Sequence, residues 1–321
     1  MKVDRMRYGN LRQIEAFRCL MVTGSMTLAA RRMGVTQPAI SRLLKDLQDD
    51  LDLVLFDKRG TGVVPTAEAT ALYAEVERSF VGLDRIRSTA EHIRTRRNTS
   101  LRIAALPALA NGYLPRFAGK VLMRRPELDL GLFGLISPLV VDWVINRQCD
   151  LGFAELPIAH PVLETIPMPV LARVAVMPEG HRLATRKVIR PDDFTGENFI
   201  SLKLGSSSRH RIDEVFDTRG IARVMRAETH LSEIMCGLVS SGFGVAICDP
   251  FTAAEFASRG VIARPFEPAI PFEFAALFPP GVLLAPIAQE FIATLQADIM
   301  GRFAAALFPG AAGAPLLLSN A

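Results

Sequence analysis

The sequence predicts an α/β protein that carries an all-α winged helix-turn-helix head. Three observations lead there. Helical periodicity, broken by glycines, holds through about residue 51. From residue 101 onward, strand-like apolar runs alternate with helical stretches. Positive charge is gathered at the front: residues 1–97 carry 17 Lys and Arg against 12 Asp and Glu, and the remainder carries 20 against 21. A basic end on a near-neutral body is the footprint of an anionic partner such as nucleic acid.

The composition sets the limits. A chain of 321 residues has room for two or three domains. Half the residues are apolar and 22% are charged, which excludes a disordered or fibrous chain. No apolar run reaches the ~18 residues that span a membrane. The first twenty residues lack the apolar core of a secretory signal. Cys19, Cys149, Cys236 and Cys248 form no CxxC pair, and the five histidines show no zinc spacing. Neither a disulfide framework, a metal nor a cofactor is expected, and a reducing, cytoplasmic location follows.

The head reads as three helices. In LRQIEAFRCLMVT (11–23), Leu11, Ile14, Phe17 and Met21 share a face, and Gly24 ends the helix. Ser25 or Thr27 is placed to cap TLAARRM, whose small Ala29 and Ala30 permit a close helix crossing. Gly34 ends that helix. Thr36 caps the third, QPAISRLLKDLQDDL, with Pro38 in the first turn. Its buried side is Ile40, Leu43, Leu44, Leu47 and Leu51. The turn before it is about four residues and holds a glycine, the helix-turn-helix arrangement. Thr36, Gln37, Pro38, Ser41, Arg42 and Lys45 form the outer side near its N-terminus. Gln pairs with adenine, Arg with guanine and Ser with either base edge, so this face suits major-groove reading.

LVLFDKRGTGVVPT reads as a hairpin with a basic, glycine-rich tip, and Lys58 and Arg59 are its candidate phosphate contacts. Thr66 then caps a long helix over 67–94. Ala69, Val76, Leu83 and Ala90 recur by seven, as do Leu72, Ser79, Ile86 and Ile93. Nearly four heptads predict pairing with a second copy, against the alternative of a helix lying on its own domain. Two heads would fit a two-fold symmetric site on double-stranded DNA.

LRQIEAFRCLMVTGSMTLAARRMGVTQPAISRLLKDLQDDLDLVLFDKRG resembles the winged helix-turn-helix of LysR-type transcriptional regulators. The resemblance implies that Gln37, Ser41 and Arg42 lie in the major groove, that 53–66 is the wing, and that 67–94 is a dimerising linker helix. Such wings often carry an Arg where this chain has Thr61 or Gly62, so wing contacts would rest on Lys58 and Arg59.

After a polar hinge at 94–100, the chain follows a βαβ rhythm. Strands are expected at 101–106, 128–133, 150–156, 173–177, 198–202, 223–229, 244–250, 261–266 and 272–278. Helices are expected from Leu109 to Met123, from Pro138 to Asn146, near 208–219 and 231–241, and from 286 to 303. This predicts two subdomains with a cleft between them, where a ligand meets strand ends and helix starts. The turns facing it hold Leu106, Pro107, Ala108, Ser137, Pro138, Leu202, Lys203, Ser207, Ser208, Thr229 and His230. Glu155 and Asp249 end strands and suit an amino or guanidinium group. The serines and threonines also serve as simple helix caps.

LRIAALPALANGYLPR, HRLATRKVIRPDDFTGENFISL and SSGFGVAICDPFTAAEFASRGVIARPFEPAIPFEF resemble the effector domain of the same family, nearest the branch that senses opines or diaminopimelate. That domain is similar to periplasmic binding proteins. The resemblance implies a small effector of amino-acid or opine type, with a carboxylate and an amino group, and a homo-oligomer. The expected layout is a winged helix-turn-helix domain (1–66), a linker helix (67–94), an effector domain (95–300) and a flexible tail (301–321). Within the effector domain, subdomain I takes about 95–162 and 267–300, and subdomain II about 163–266.

An enzyme is not expected. Ser208 and His210 are neighbours without a GxSxG elbow, and GFG (242–244) is not GxGxxG. Cys248 sits in the apolar run VAIC, where a buried thiol outweighs a redox switch with Cys236. The alternative function is a solute-binding or catalytic protein whose N-terminal helices only dimerise.

Overall fold

The computed structural model describes residues 10–59, 62–95, 100–158, 163–281 and 283–309. The chain divides into two compact units, Met1–Glu91 and His92–Ala321.

The first unit begins with α1 (Leu11–Thr23), α2 (Met26–Met33) and α3 (Gln37–Leu51). Asn10 caps α1 through a reciprocal box with Gln13. Gly24 and Gly34 end α1 and α2 at φ +62° and +64°, where a side chain would be strained. Ser25, rather than Thr27, caps α2 by accepting from the Leu28 amide. Thr36 stands at the α3 N-cap without a side-chain cap bond. The buried stripe of α1 is Gln13, Ala16, Phe17 and Leu20, whereas Leu11 is exposed and Met21 half-buried. The expected face is turned because α1 packs against α2, α3 and the next helix together, at i, i+3, i+4 and i+7 spacing.

A hairpin of β1 (Phe56–Arg59) and β2 (Gly62–Pro65) follows. Gln48 of α3 fixes its start, its Oε1 accepting from the Leu55 and Phe56 amides at 2.8 and 3.3 Å. Gly60 and Thr61 lie outside the described residues, as do the side chains of Lys58 and Arg59. Thr66 caps α4 (Ala67–Thr95) through the Ala69 amide. Ala69, Val76 and Phe80 of α4 complete the core of the head. Arg18 binds this helix through Glu77 at 2.6 Å and lies over the Phe80 ring at 4.7 Å. That guanidinium holds the Glu77 carboxyl below its usual range. The second heptad register opens to solvent: Ser79 is exposed and Ile86 is 66% exposed. Ala90 and Ile93 are outside the residues whose side chains are described.

The second unit holds two α/β lobes. The first lobe has a five-stranded sheet ordered β4-β3-β5-β14-β6, built from β3 (Ser100–Ala105), β4 (Asp129–Gly134), β5 (Leu151–Glu155), β6 (Glu164–Pro167) and β14 (Phe274–Phe278). The pairs β3–β4 and β3–β5 are parallel, and β14 runs antiparallel to β5 and β6. Because β6 pairs with β14, this lobe extends to residue 167, past the boundary at 163 read from sequence.

Helices α5 (Pro107–Ala110), α6 (Tyr113–Arg124), α7 (Ser137–Ile145) and α11 (Pro286–Arg302) cover that sheet. The single helix expected from Leu109 to Met123 is thus two, parted at Asn111 and Gly112, where Gly112 leaves helical geometry. A Cβ on Gly152 would lie 2.6 Å from Val144 of α7, so the glycine lets α7 sit directly on β5.

The second lobe is centred on β8 (Val174–Pro178), flanked by β11 (Ala246–Cys248) and β12 (Val261–Pro265). A parallel pair, β9 (Asn198–Leu202) and β10 (Val224–Thr229), joins it through a Phe199–Val245 bridge beside β11. Helices α8 (Ser207–Asp217), α9 (Ser232–Ser240) and α10 (Pro250–Phe256) complete the lobe. The chain passes between lobes in a two-residue antiparallel ribbon of β7 (Leu171–Ala172) and β13 (Pro271–Phe272).

The first residues after α11 are not a loose tail. Phe303 is buried, with ring centroids 5.5 Å from Tyr113 and 4.7 Å from Phe251, and Leu307 bridges to Leu171. An apolar segment beside an aromatic cluster gains by docking there. Residues 310–321 lie outside the described residues.

Candidate functional site

Two surfaces have the chemistry of function, one in each unit. On α3, Ile40, Leu44 and Leu47 face the core, which turns Thr36, Gln37, Pro38, Ser41, Arg42 and Lys45 to solvent as a single exposed strip. Amide, hydroxyl and guanidinium groups thus stand on one helix face at its N-terminal end. Arg31 and Arg32, exposed in the last turn of α2, lie just ahead of this strip in the chain. The sequence reading omitted them, although an Arg-Arg pair directly before the turn was a visible signal.

In the second unit, a cleft of about 990 Å³ lies between the lobes. That volume suits a small organic ligand. Every residue named from the sequence lines it: Leu106, Pro107, Ala108, Ser137, Pro138, Glu155, Leu202, Lys203, Ser207, Ser208, Thr229, His230 and Asp249. They converge because strands of each lobe end, and hand over to helices, on the side that faces the cleft.

Their local bonds differ. Ser137 Oγ accepts from the Glu155 amide at 3.0 Å and ties α7 to the end of β5. Ser206 caps α8 by accepting from the Arg209 amide at 3.2 Å, and its hydroxyl donates to the Lys203 carbonyl at 2.9 Å. Thr229 Oγ1 accepts from the Leu231 amide ahead of α9. Asp249 is buried and caps α10 through the Thr252 amide at 2.8 Å, so its carboxylate already has a helix to serve.

Glu155 has a different setting. Its Oε1 accepts from Arg173 Nη2 at 2.7 Å and from Ser208 Oγ at 2.6 Å. Arg173 Nη2 is also 2.7 Å from Ser208 Oγ, and its guanidinium lies over the Phe272 ring at 5.0 Å. Arg173 is 1% exposed and lines the cleft. The sequence reading did not find it, since a lone Arg ahead of an apolar strand shows nothing of partners 18 and 35 residues away. Asp142 and Glu228 also line the cleft unanticipated.

Cys236 and Cys248 are buried with sulfurs 3.6 Å apart. The hydrogen bond to Cys236, together with burial, pushes the Cys248 thiol well up from its ordinary value. Among the described residues, no group of three or more His, Cys, Asp and Glu is placed to hold a metal. No described helix is long and apolar enough to cross a membrane.

Residues 11–70 match the family model for bacterial regulatory helix-turn-helix proteins of the lysR family, and residues 94–299 match the LysR substrate binding domain. The chain belongs to the LysR family. The transcriptional activator LysR of Escherichia coli (strain K12) is 37% identical over 290 residues, which cover 90% of this chain and 93% of that one. The octopine catabolism/uptake operon regulatory protein OccR of Rhizobium meliloti is 42% identical over 260 residues, covering 80% and 85%. The regulatory protein NocR of Agrobacterium fabrum (strain C58 / ATCC 33970) is 37% identical over 284 residues, covering 88% and 95%. The fold matches the crystal structure of CbnR, a LysR family transcriptional regulator, with a TM-score of 0.73 at 18% identity over 90% of this chain and 99% of that chain. This LysR-type protein is therefore a DNA-binding transcriptional regulator, in a family of regulators rather than enzymes, and its two-lobed unit is the periplasmic-binding-like effector domain.

Proposed function

We propose that this regulator reads a two-fold symmetric promoter site with α3 and is switched by a small amino-acid-like effector, an opine or a related amino acid, held in the cleft. The convergence of strand-to-helix turns from both lobes on one ligand-sized cavity carries this reading. The similarity to an octopine operon regulator supports the effector class. In this reading Gln37, Ser41, Arg42 and Lys45 meet base edges and phosphates, while Lys58 and Arg59 track the wing-side backbone. The far half of α4, with Ile86 exposed, pairs with a second copy. The protein works in the cytoplasm, where its DNA lies. Effector binding closes the cleft and favours one placement of paired subunits, which requires different affinities for the two arrangements.

Two measurements test this. Gln37→Ala and Arg42→Ala are expected to cost about 1–3 kcal/mol of site-specific binding each in gel shifts, with the fold intact by circular dichroism. Unchanged site preference would sink the assignment of α3. Octopine, nopaline or a basic amino acid at 100 times its Kd is expected to stabilise the effector domain of the full chain by about 2.7 kcal/mol. A melting temperature indifferent to all of them would remove the amino-acid class. The rival reading, a solute-binding or catalytic protein with a merely dimerising head, predicts no binding to any duplex at low salt.

A further inference from the structure

Glu155 offers one carboxylate oxygen to the cleft. Its Oε1 is saturated by Ser208 and Arg173, whereas Oε2 has no partner among the described residues. The Glu155 side chain keeps 16% of its surface exposed, against 1% for Arg173. Beside it stand donors for an anion. The amides of Ser207 and Ser208, in the first turn of α8, are not used by the helix itself. Arg173 Nε, in the same wall, is buried without a partner among the described residues.

A ligand carboxylate on these donors would lie next to Glu155, since Ser208 and Arg173 both touch that side chain. Arg173 offsets only one of the two carboxylates, so a net repulsion between them remains, at a distance where water screens it little. A positive charge placed between them removes the conflict. An α-amino acid carries its ammonium on the carbon next to its carboxylate, so the two groups reach this wall together.

We propose that Glu155 is a specificity-determining residue: it admits effectors with a protonated amine on the carbon next to the carboxylate and rejects those whose nitrogen is acylated. This rests on the amino-acid reading of the cleft and sharpens it. Primary amines and the secondary amine of an opine keep their charge and are accepted. An amide nitrogen is neutral and leaves the two carboxylates facing each other.

Calorimetric titration of the full chain tests this with octopine, L-arginine, L-lysine and the Nα-acetyl form of each. At least one amine-bearing probe is expected to bind. For arginine or lysine, whichever binds, the acetyl form is expected to be at least tenfold weaker, and if octopine alone binds, its N-acetyl form is expected to be at least tenfold weaker. Glu155→Gln, which keeps an oxygen for Ser208, is expected to bring that ratio within about threefold. Because equal binding of parent and acetyl form by the wild type already overturns the proposal, a poorly folding variant leaves it falsifiable. Acetylated probes that bind as well as their parents, or a ratio that survives in Glu155→Gln, overturn the proposal while leaving the amino-acid reading in place. If none of the probes binds, that reading falls and this proposal with it.

Discussion

Replacing Glu155 by alanine is expected to lower the stability of the two-lobed unit by about 3–5 kcal/mol, because it strands a buried guanidinium. At 1% exposure Arg173 cannot reach water without moving the strand ends around it. Ser208 loses its acceptor in the same change, although its hydroxyl keeps the contact with Arg173. At roughly 2–4 °C per kcal/mol for a unit of this size, the second unit should melt about 6–20 °C lower. The double variant Glu155→Ala, Arg173→Met separates charge burial from packing. With no charge left to strand, it should recover a large part of the loss. A single variant that melts like the wild type would show that the guanidinium does not depend on this carboxylate.

The second large effect belongs to the head. Phe17 is fully buried where α1 meets α2, α3 and α4, and its ring lies 5.8 Å from Phe56 and 6.4 Å from Tyr73. Phe17→Ala is expected to cost about 3–5 kcal/mol. The core of this unit is small, and small domains have little stability in reserve. Scanning calorimetry should therefore show the head melting far earlier, or already unfolded, while the transition of the two-lobed unit stays in place. Affinity for duplex DNA should vanish while effector binding survives. A head that melts unchanged would mean that the cavity is filled by rearrangement of Ile14, Tyr73 and their neighbours.

The head was legible because its signals are local. A capping hydroxyl, a proline in the first turn and a stopping glycine all lie within a few residues of the helix they delimit. The exposed strip of α3 followed from the apolar spacing on its other side. The cleft residues were legible for a related reason, since each stands where a strand period gives way to a helix period. Arg173 was not, because its role depends on Glu155, Ser208 and Phe272, which only folding brings to it. The strands of the ribbon, two residues each, are too short to show a period. The docking of Phe303 and Leu307 depends on Tyr113, Phe251 and Leu171, all distant in sequence. Asp249 lines the cleft as expected and also caps α10, a second role that went unnamed. Asp-Pro-Phe-Thr carries the local signal for that helix start, a capping carboxylate followed by a first-turn proline.

Arg173 directly follows β7, its amide donates to Ile270 just before β13, and its guanidinium rests on Phe272 within β13. The charge that meets the cleft is therefore mounted on the ribbon that joins the two lobes. Were the lobes to turn about that ribbon, a small angle there would sweep its longest arc at the rim of the cleft.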